Sequence, residues 1–170
     1  MGVPVYFFGE SENGCSLIKV GVAKDIGRRK RDLQTGNPHE LRLLGWIVSD
    51  DDFQLERDLH QHFEHLRGRG EWFKIRPTDI LPHLARAGQR GFVAKNADAF
   101  QITSYDRDVV PEYLGVWDWA NLEIDECCPF CGCLCGMHFQ ETSQMYFCMQ
   151  CDKLSDFSEL SPDNRDRPHD

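Results

Sequence analysis

Two closely spaced pairs of cysteines constrain this chain more than any other feature of its sequence. Cys128 and Cys131 are separated by two residues, as are Cys148 and Cys151, and 16 residues lie between the two pairs. A two-residue spacer lets one tight turn direct both thiolates at the same ion, and zinc takes four such ligands in a tetrahedron. The spacing therefore predicts a structural Zn²⁺ site held by these four cysteines.

Other residues near the pairs leave the ligand assignment open at this stage. Cys133, Cys135 and His138 are alternative ligands, and Cys127 has no assigned role. The N-terminus lacks the basic lead and apolar stretch of a signal peptide, so reduced, metal-binding cysteines are favoured over disulfides. The segment 127–154 resembles a zinc ribbon. No apolar run approaches 18 residues, so we expect a cytoplasmic protein that does not enter a membrane.

Charge is distributed unevenly along the 170 residues, whose formal net charge is −9. Residues 1–95 carry 15 Lys and Arg against 13 Asp and Glu, whereas residues 96–170 carry 4 against 15. Such asymmetry suggests two regions with different partners. The total excludes a generally basic DNA-coating protein, but the front half has room for a local cationic site. The acidic second half is a candidate surface for a protein partner.

The front half alternates between strand and helix patterns and predicts an α+β domain over residues 1–88. Strands at 3–9, 17–22 and 41–48 indicate a small mixed or antiparallel three-stranded sheet, whose first two strands flank the hairpin signal Asn13-Gly14. Helices are predicted from Asp25 to about 34, from about 50 to 66 and from Thr78 to about 87, and a short strand at 71–75. An acidic connecting region at 89–126, the zinc-ribbon-like module at 127–154 and a flexible acidic tail at 155–170 complete the predicted organisation.

Several short motifs follow one another along the front half, namely Pro4-Val5-Tyr6, Lys19-Val20-Gly21, Ala23-Lys24-Asp25-Ile26-Gly27-Arg28-Arg29, Leu33-Gln34-Thr35-Gly36-Asn37-Pro38, Glu56-x3-His60-x2-Phe63 and Gly70-Glu71-Trp72-Phe73. In this order they resemble the GIY-YIG nuclease superfamily and, within it, the bacteriophage T5 Orf172 domain. The resemblance covers about residues 3–76 and implies that superfamily's fold. It also implies an enzyme that cuts phosphodiester bonds with one divalent metal, usually Mg²⁺ or Mn²⁺.

The resemblance assigns catalytic roles to five residues of this chain, namely Tyr6, Lys19, Arg29, Glu56 and His60. Lys19 stands where the superfamily has the tyrosine of its second motif. Glu56 would hold the Mg²⁺ or Mn²⁺, and His60 would aid proton transfer or contact phosphate. These roles suit the chemistry, because arginine offers planar charged donors to phosphate oxygens and a carboxylate binds a hard cation.

Three further expectations concern the surroundings of these residues. If Tyr6 and Lys19 share a face of the sheet, the ammonium is expected to lower the pKa of the Tyr6 hydroxyl. Glu71 is a candidate to orient Arg29 or His60. The cations Lys24, Arg28 and Arg31 are candidate contacts to the DNA backbone, since they cannot all reach one phosphate from a single helix.

Together these observations predict a metal-dependent DNA endonuclease with a structural zinc site in its second half. The alternative is a DNA-binding or protein-interaction module that has the same fold without activity. The combination of Tyr6, Arg29 and Glu56 favours the enzyme, because a module that only binds DNA has no need of a metal-binding carboxylate.

Overall fold

The computed structural model describes residues 2–10, 17–95, 102–105, 107, 111–113 and 122–156. The chain divides into two compact units, Met1–Ala94 and Lys95–Asp170. None of the helices in the described ranges combines the length and the apolar character that a membrane crossing requires.

The first unit is built on an antiparallel sheet of five strands. In the sheet the strands lie in the order β4-β2-β1-β3-β5, so β1 is the central strand. Tyr6 of β1 lies opposite Gly21 of β2 on one side and opposite Trp46 of β3 on the other. The strands are β1 (Val5–Glu10), β2 (Ile18–Val22), β3 (Leu41–Ile47), β4 (Trp72–Phe73) and β5 (Gly91–Val93).

Three α-helices connect these strands, and short side chains fix where two of them begin. Asp25 accepts a hydrogen bond from the Arg28 N–H at 2.8 Å, and Asp51 accepts one from the Gln54 N–H at 2.9 Å. Each supplies an acceptor to a backbone donor that has no partner within its helix. The helices are α1 (Ile26–Thr35), α2 (Asp52–His62) and α3 (Pro77–Ala87), and 3₁₀ turns follow α2 at Glu64–Leu66 and α3 at Gly88–Arg90.

The two faces of the sheet are covered by different helices. On one face, the α1 residue Arg29 reaches Tyr6. On the other, Phe63 just after α2 packs on Phe73 of β4, and Leu84 of α3 lies against Gly45 of β3. Because side chains alternate along β1, Tyr6 lies on the face covered by α1, whereas its neighbours Val5 and Phe7 point into the main core. That core is apolar and buried, and it includes Val5, Phe7, Ile18, Val20, Ile47, Leu59, Phe63, Phe73, Ile80, Leu84 and Val93.

The predicted α+β class is confirmed, but the sheet has five antiparallel strands rather than three. β4 falls within the short strand expected at 71–75. β5 comes from residues assigned to the connecting region, and it joins the sheet by pairing with β3. Three residues are too few for an alternating pattern to be recognised. Among the helices, α3 begins before Thr78, because the Asp79 carboxylate accepts the Arg76 N–H at 2.8 Å and starts the first turn there.

The second unit contains two small antiparallel sheets among its described residues. β6 (Ile102–Tyr105) pairs with β7 (Pro111–Tyr113), both within the predicted connecting region. The other sheet has the order β10-β9-β8 and consists of β8 (His138–Gln140), β9 (Met145–Phe147) and β10 (Leu154–Ser155). The predicted flexible tail lies outside the described residues from 157 onward.

Asp52 attaches the segment before β1 to the start of α2. Its carboxylate is buried and accepts the Val3 N–H and the Ser49 N–H, each at 2.7 Å. Replacing Asp52 by alanine would leave both backbone donors without this partner, a loss of about 1–3 kcal/mol for each buried group left unsatisfied. We expect Asp52→Ala to lower the free energy of unfolding by about that amount, as measured by urea denaturation.

Asp50 provides the control for this prediction. It lies two residues earlier, is exposed and pairs with the Arg90 side chain at 2.8 Å. Exposed ion pairs contribute little to stability, so Asp50→Ala is expected to leave the urea midpoint nearly unchanged. Equal effects of the two substitutions would contradict the role given to Asp52.

Candidate functional sites

The first site forms where the Tyr6 ring crosses over Gly21. A Cβ atom on Gly21 would lie only 2.6 Å from the Tyr6 hydroxyl, so a residue without a side chain is required here. The crossing brings the hydroxyl within 3.3 Å of Arg29 Nε, which donates a hydrogen bond to it. The predicted Tyr6 and Arg29 are therefore in contact, although 23 residues separate them in sequence.

Burial governs the protonation of Tyr6. Its side chain is almost fully buried, and this burial raises the pKa of the phenol above its usual value of 10.0. The hydrogen bond and the charge of Arg29 oppose the rise, whereas the negative charges of Glu71 and Glu56 add to it. At neutral pH the phenol therefore keeps its proton, and it can donate that proton to a nearby acceptor.

Lys19 does not act on Tyr6 in the way expected from the sequence. The register places Lys19 and Gly21 on the Tyr6 face, as predicted, because Tyr6 lies opposite Gly21. However, the Lys19 ammonium is buried in an ion pair with Glu71, and it lies 5.9 Å from the centre of the Trp72 ring. The expectation of a lowered Tyr6 pKa is wrong, because burial outweighs the nearby cations.

Glu71 has Lys19 as its hydrogen-bond partner, not Arg29 or His60 as the sequence suggested. Burial would raise the pKa of the Glu71 carboxyl, but the bond to Lys19 and the positive charges of Lys19, His60 and Arg29 hold it below its usual value. Glu71 is therefore ionised at neutral pH. It acts on Arg29 and His60 through its charge.

His60 bonds to the backbone of β2 where the pairing of β2 with β4 ends. Its Nε2 lies 3.0 Å from the Val20 carbonyl oxygen, and because a carbonyl only accepts, Nε2 must carry the proton. Val20 N–H bonds to Glu71, but the Val20 carbonyl is taken by the imidazole. Nδ1 is then the ring nitrogen that can accept a proton, so a role in proton transfer would fall to that atom.

Glu56 is the candidate metal ligand, and its surroundings suit that role. It lies one helical turn before His60 on α2 and is half-buried. Within the described part of the chain, its carboxylate has neither a hydrogen bond nor an ion pair, yet its charge acts on the Tyr6 hydroxyl. A carboxylate that has no protein partner, and whose charge acts on the Tyr6 hydroxyl, fits a hard cation such as Mg²⁺ or Mn²⁺.

The candidate DNA contacts lie on or next to α1, outside this site. Lys24, Arg28 and Arg31 are exposed, and none forms an ion pair with any residue in the described ranges. Arg29 is only partly exposed, with its Nε on Tyr6, and its two terminal nitrogens have no partner among the described residues. Those nitrogens present four N–H donors in the fork geometry that matches a phosphate.

The second site is the cysteine cluster of the second unit. The four predicted sulfur atoms lie within 4.8 Å of one another. Cys128 Sγ is 3.9 Å from Cys151 Sγ, and Cys131 Sγ is 3.8 Å from Cys148 Sγ. A tetrahedron with metal–sulfur distances of about 2.3 Å has edges of about 3.8 Å. These four cysteines can therefore hold a metal such as zinc.

Each cysteine pair sits on the same kind of turn. The residue after each pair, Gly132 or Asp152, has a positive φ (77° and 55°). Its N–H bonds to the carbonyl of the first cysteine, at 2.8 Å to Cys128 and 2.9 Å to Cys148. These turns point both sulfur atoms of a pair inward. Burial would raise the pKa of Cys148, but the backbone N–H groups of Cys151 and Gln150 and the adjacent thiols lower it to about 7.

The alternative ligands lie outside the group of four. Cys135 Sγ contacts Cys148 Sγ at 3.8 Å, but it is not close to all four predicted sulfurs. Cys133 is buried, and its sulfur accepts the Cys135 N–H at 3.3 Å. Cys127 is also buried, and His138 is an exposed residue of β8 whose ring lies 6.1 Å from that of Phe147.

The first unit is thus an α+β domain whose five-stranded sheet carries a Tyr–Arg pair on one face, and its family match suggests a nuclease-like fold. Residues 4–87 match the model of the T5orf172 domain, and this segment therefore belongs to that family, which is of the GIY-YIG-like phage Orf172 type. The resemblance found in the sequence motifs is thus confirmed. Neither curated proteins nor solved structures gave a match to the chain.

The sequence did not reveal what Gly21 and Val20 do for the site. Gly21 supplies the space for Tyr6, and Val20 supplies the carbonyl that holds His60. Both belong to the Lys19-Val20-Gly21 motif, so the sequence drew attention to these two positions but not to their roles. Their roles follow only from the strand register and from the packing of α2.

The Lys19–Glu71 ion pair generates a prediction about the titration of Tyr6. Glu71 raises the pKa of Tyr6, and Lys19 offsets that charge. We expect Lys19→Met to raise the Tyr6 pKa further, Glu71→Gln to lower it, and the double variant to lie between the two. Ultraviolet difference titration against Tyr6→Phe isolates this phenol. Lys24→Met, which removes an exposed cation, is the control, and a Lys19→Met curve that matches the wild type would contradict the ion-pair argument.

A second prediction concerns the metal content of the cysteine cluster. Reduced protein is expected to contain about one zinc per chain, as one four-thiolate site requires. Cys151→Ser should lose most of this zinc, because Cys151 is exposed and its loss removes a ligand with little effect on packing. Cys127→Ala is the matched control and should retain it. Elemental analysis measures both, and zinc lost from the control but kept in Cys151→Ser would refute the assignment.

Proposed function

We propose that the first unit is a metal-dependent endonuclease domain that hydrolyses phosphodiester bonds in DNA. The observation that carries this proposal is the hydrogen bond from Arg29 Nε to the Tyr6 hydroxyl, at 3.3 Å, together with the unpartnered carboxylate of Glu56, whose charge acts on the same hydroxyl. The bond fixes the guanidinium and leaves its terminal nitrogens for a phosphate. A molecule that only binds DNA gains nothing from a carboxylate placed beside that phosphate.

Each residue of the site has a distinct part in this proposal. Arg29 would bind the scissile phosphate and stabilise the charge that develops on its oxygens. Tyr6 would hold Arg29 in place and, as a protonated phenol, donate a hydrogen bond. His60 would accept a proton at Nδ1 while Nε2 stays on Val20. A divalent cation held by Glu56 would relieve the charge on the leaving oxygen.

The remaining cations extend the proposed interface beyond the reacting phosphate. Lys24, Arg28 and Arg31 are exposed on or beside α1 and would contact neighbouring phosphates. Such contacts hold the DNA without regard to its sequence and weaken as salt concentration rises. Because the first unit is nearly neutral overall, binding is expected to be weak and confined to this helix.

The second candidate is a DNA-binding module without activity, and one observation favours it. The second tyrosine of the superfamily is replaced by Lys19, whose ammonium is committed to Glu71. The site therefore has one phenol instead of two, and that phenol has a raised pKa. In this case α1 would still bind DNA, but no strand would be cut.

The second unit is proposed to bind a protein partner rather than DNA. The region that contains it is strongly acidic, so it would repel the phosphate backbone. Large apolar side chains are exposed around its cysteine cluster, namely Phe139, Met149 and Leu154.

Cleavage of plasmid DNA in Mg²⁺ or Mn²⁺ tests the proposed activity. Arg29→Ala and Glu56→Gln should each lower the nicking rate by about 100-fold or more, the range found when one preorganised donor is removed from an active site. Arg57→Ala and Glu64→Gln are matched controls, because both residues are exposed and make only local contacts, to Gln54 and Arg67. Binding of plasmid with no nicking by the wild type would support the inactive module instead.

A further inference from the structure

A cavity of about 260 Å³ lies between α1 and the sheet. Lys30 is the one charged residue among the six that line it, and the others are apolar. The volume is slightly below the range of about 300–1,000 Å³ typical of pockets for drug-sized ligands. It therefore suits one small ring system. The lining residues are Phe8, Ile26, Gly27, Lys30, Leu43 and Trp46.

The cavity adjoins the Tyr6–Arg29 pair. The Phe8 ring, which forms one wall, lies with its centre 4.6 Å from the centre of the Tyr6 ring. Trp46 lies opposite Tyr6 in the strand register. Lys30 directly follows Arg29 on α1. The cavity would therefore open next to a phosphate that is bound by Arg29.

The aromatic lining of the cavity and the positive charges around it indicate which kind of molecule the cavity would bind. The partly exposed Trp46 offers an aromatic ring on which any nucleobase can stack, because every base has a π face, and the buried Phe8 ring lies beneath it. The adjoining helix presents Lys24, Arg28, Lys30 and Arg31, none of which has an ion-pair partner in the described ranges. An apolar slot beside unpaired cations is complementary to an aromatic ring joined to a phosphate.

A base within a duplex cannot enter such a slot, because it is stacked and paired inside the helix. Only a base that is unpaired, or that is turned out of the helix, presents its ring to a side pocket. The cost of turning a base out is smallest where the base is mismatched or already single-stranded.

We propose that this cavity receives an unpaired nucleobase adjacent to the phosphate bound by Arg29, so that the preferred substrate is DNA containing an unpaired nucleotide. This inference rests on the proposed function, since it takes Arg29 as the phosphate ligand. It adds the class of substrate. The base stacks on Trp46 above the buried Phe8 ring, and Lys30 contacts a phosphate next to it.

Binding in EDTA tests the inference without depending on cleavage. The probes are a fluorescein-labelled duplex with one bulged thymidine and the same duplex fully paired, compared by fluorescence anisotropy. We expect the wild type to bind the bulged duplex about tenfold more tightly, within the roughly 5- to 150-fold that stacking one base on aromatic side chains contributes. An abasic residue in place of the bulged thymidine should remove the preference.

Trp46 and Phe92 provide a matched pair of variants. Their rings stack at 5.1 Å and are nearly parallel, so Trp46→Leu and Phe92→Leu both break the stack, but only Trp46 lines the cavity. Trp46→Leu should bind the bulged and the fully paired duplex with equal affinity, whereas Phe92→Leu should retain the preference for the bulged duplex. Thermal melting confirms that both variants are folded.

The outcomes separate this inference from the proposed activity. Equal wild-type affinity for the two duplexes, together with metal-dependent nicking, overturns the cavity proposal and leaves the nuclease proposal standing. A preference that survives the abasic substitution or Trp46→Leu, or that Phe92→Leu also abolishes, overturns it as well. A preference lost only in Trp46→Leu, in a protein that never nicks DNA, supports the cavity and refutes the nuclease. If no DNA is bound at all, both proposals fail.

Discussion

The hydrogen bond between Arg29 and the Tyr6 hydroxyl is the contact on which the arrangement of the first unit depends. The bond links the central strand to α1 and requires the Tyr6 ring to lie over β2, which is permitted only because Gly21 has no side chain there. The same bond takes up Nε of the arginine and leaves its terminal nitrogens free for an anion. One contact thus positions a helix, buries a phenol and orients a cation.

Around this contact, two of the charged side chains of the site pair with each other and two do not. Lys19 and Glu71 neutralise each other at the side of the site, and the Lys19 ammonium is buried. Arg29 and Glu56 form no ion pair within the described residues, so their charges are available for the phosphate and the cation of the proposed reaction. Burial of the Lys19 ammonium is tolerated because the partly exposed Glu71 carboxylate is its partner, whereas an unpaired buried charge would be costly. The pair therefore contributes charge around the site without occupying Arg29 or Glu56.

The sequence predicted those features that depend on local spacing and failed where distant segments meet. The four cysteines that could hold zinc follow from two-residue spacers, and the structure brings their sulfur atoms together as expected. The strand alternation placed Lys19 and Gly21 on one face. The partner of Lys19 was not predictable, because Glu71 is 52 residues away and reaches it only through the pairing of β4 with β2. The cavity beside Tyr6 likewise depends on how α1 lies on the sheet, and the β5 strand is too short to show a pattern.

His60 separates its structural task from its chemical one. The Val20 carbonyl accepts a hydrogen bond from the Nε2–H whether the imidazole is neutral or charged, so this bond does not depend on the charge state of the ring. A proton can therefore arrive at Nδ1 and leave again while the backbone contact persists. In the proposed reaction, proton transfer at His60 would therefore leave the fold unchanged, and the ring would not have to be repositioned between one round and the next.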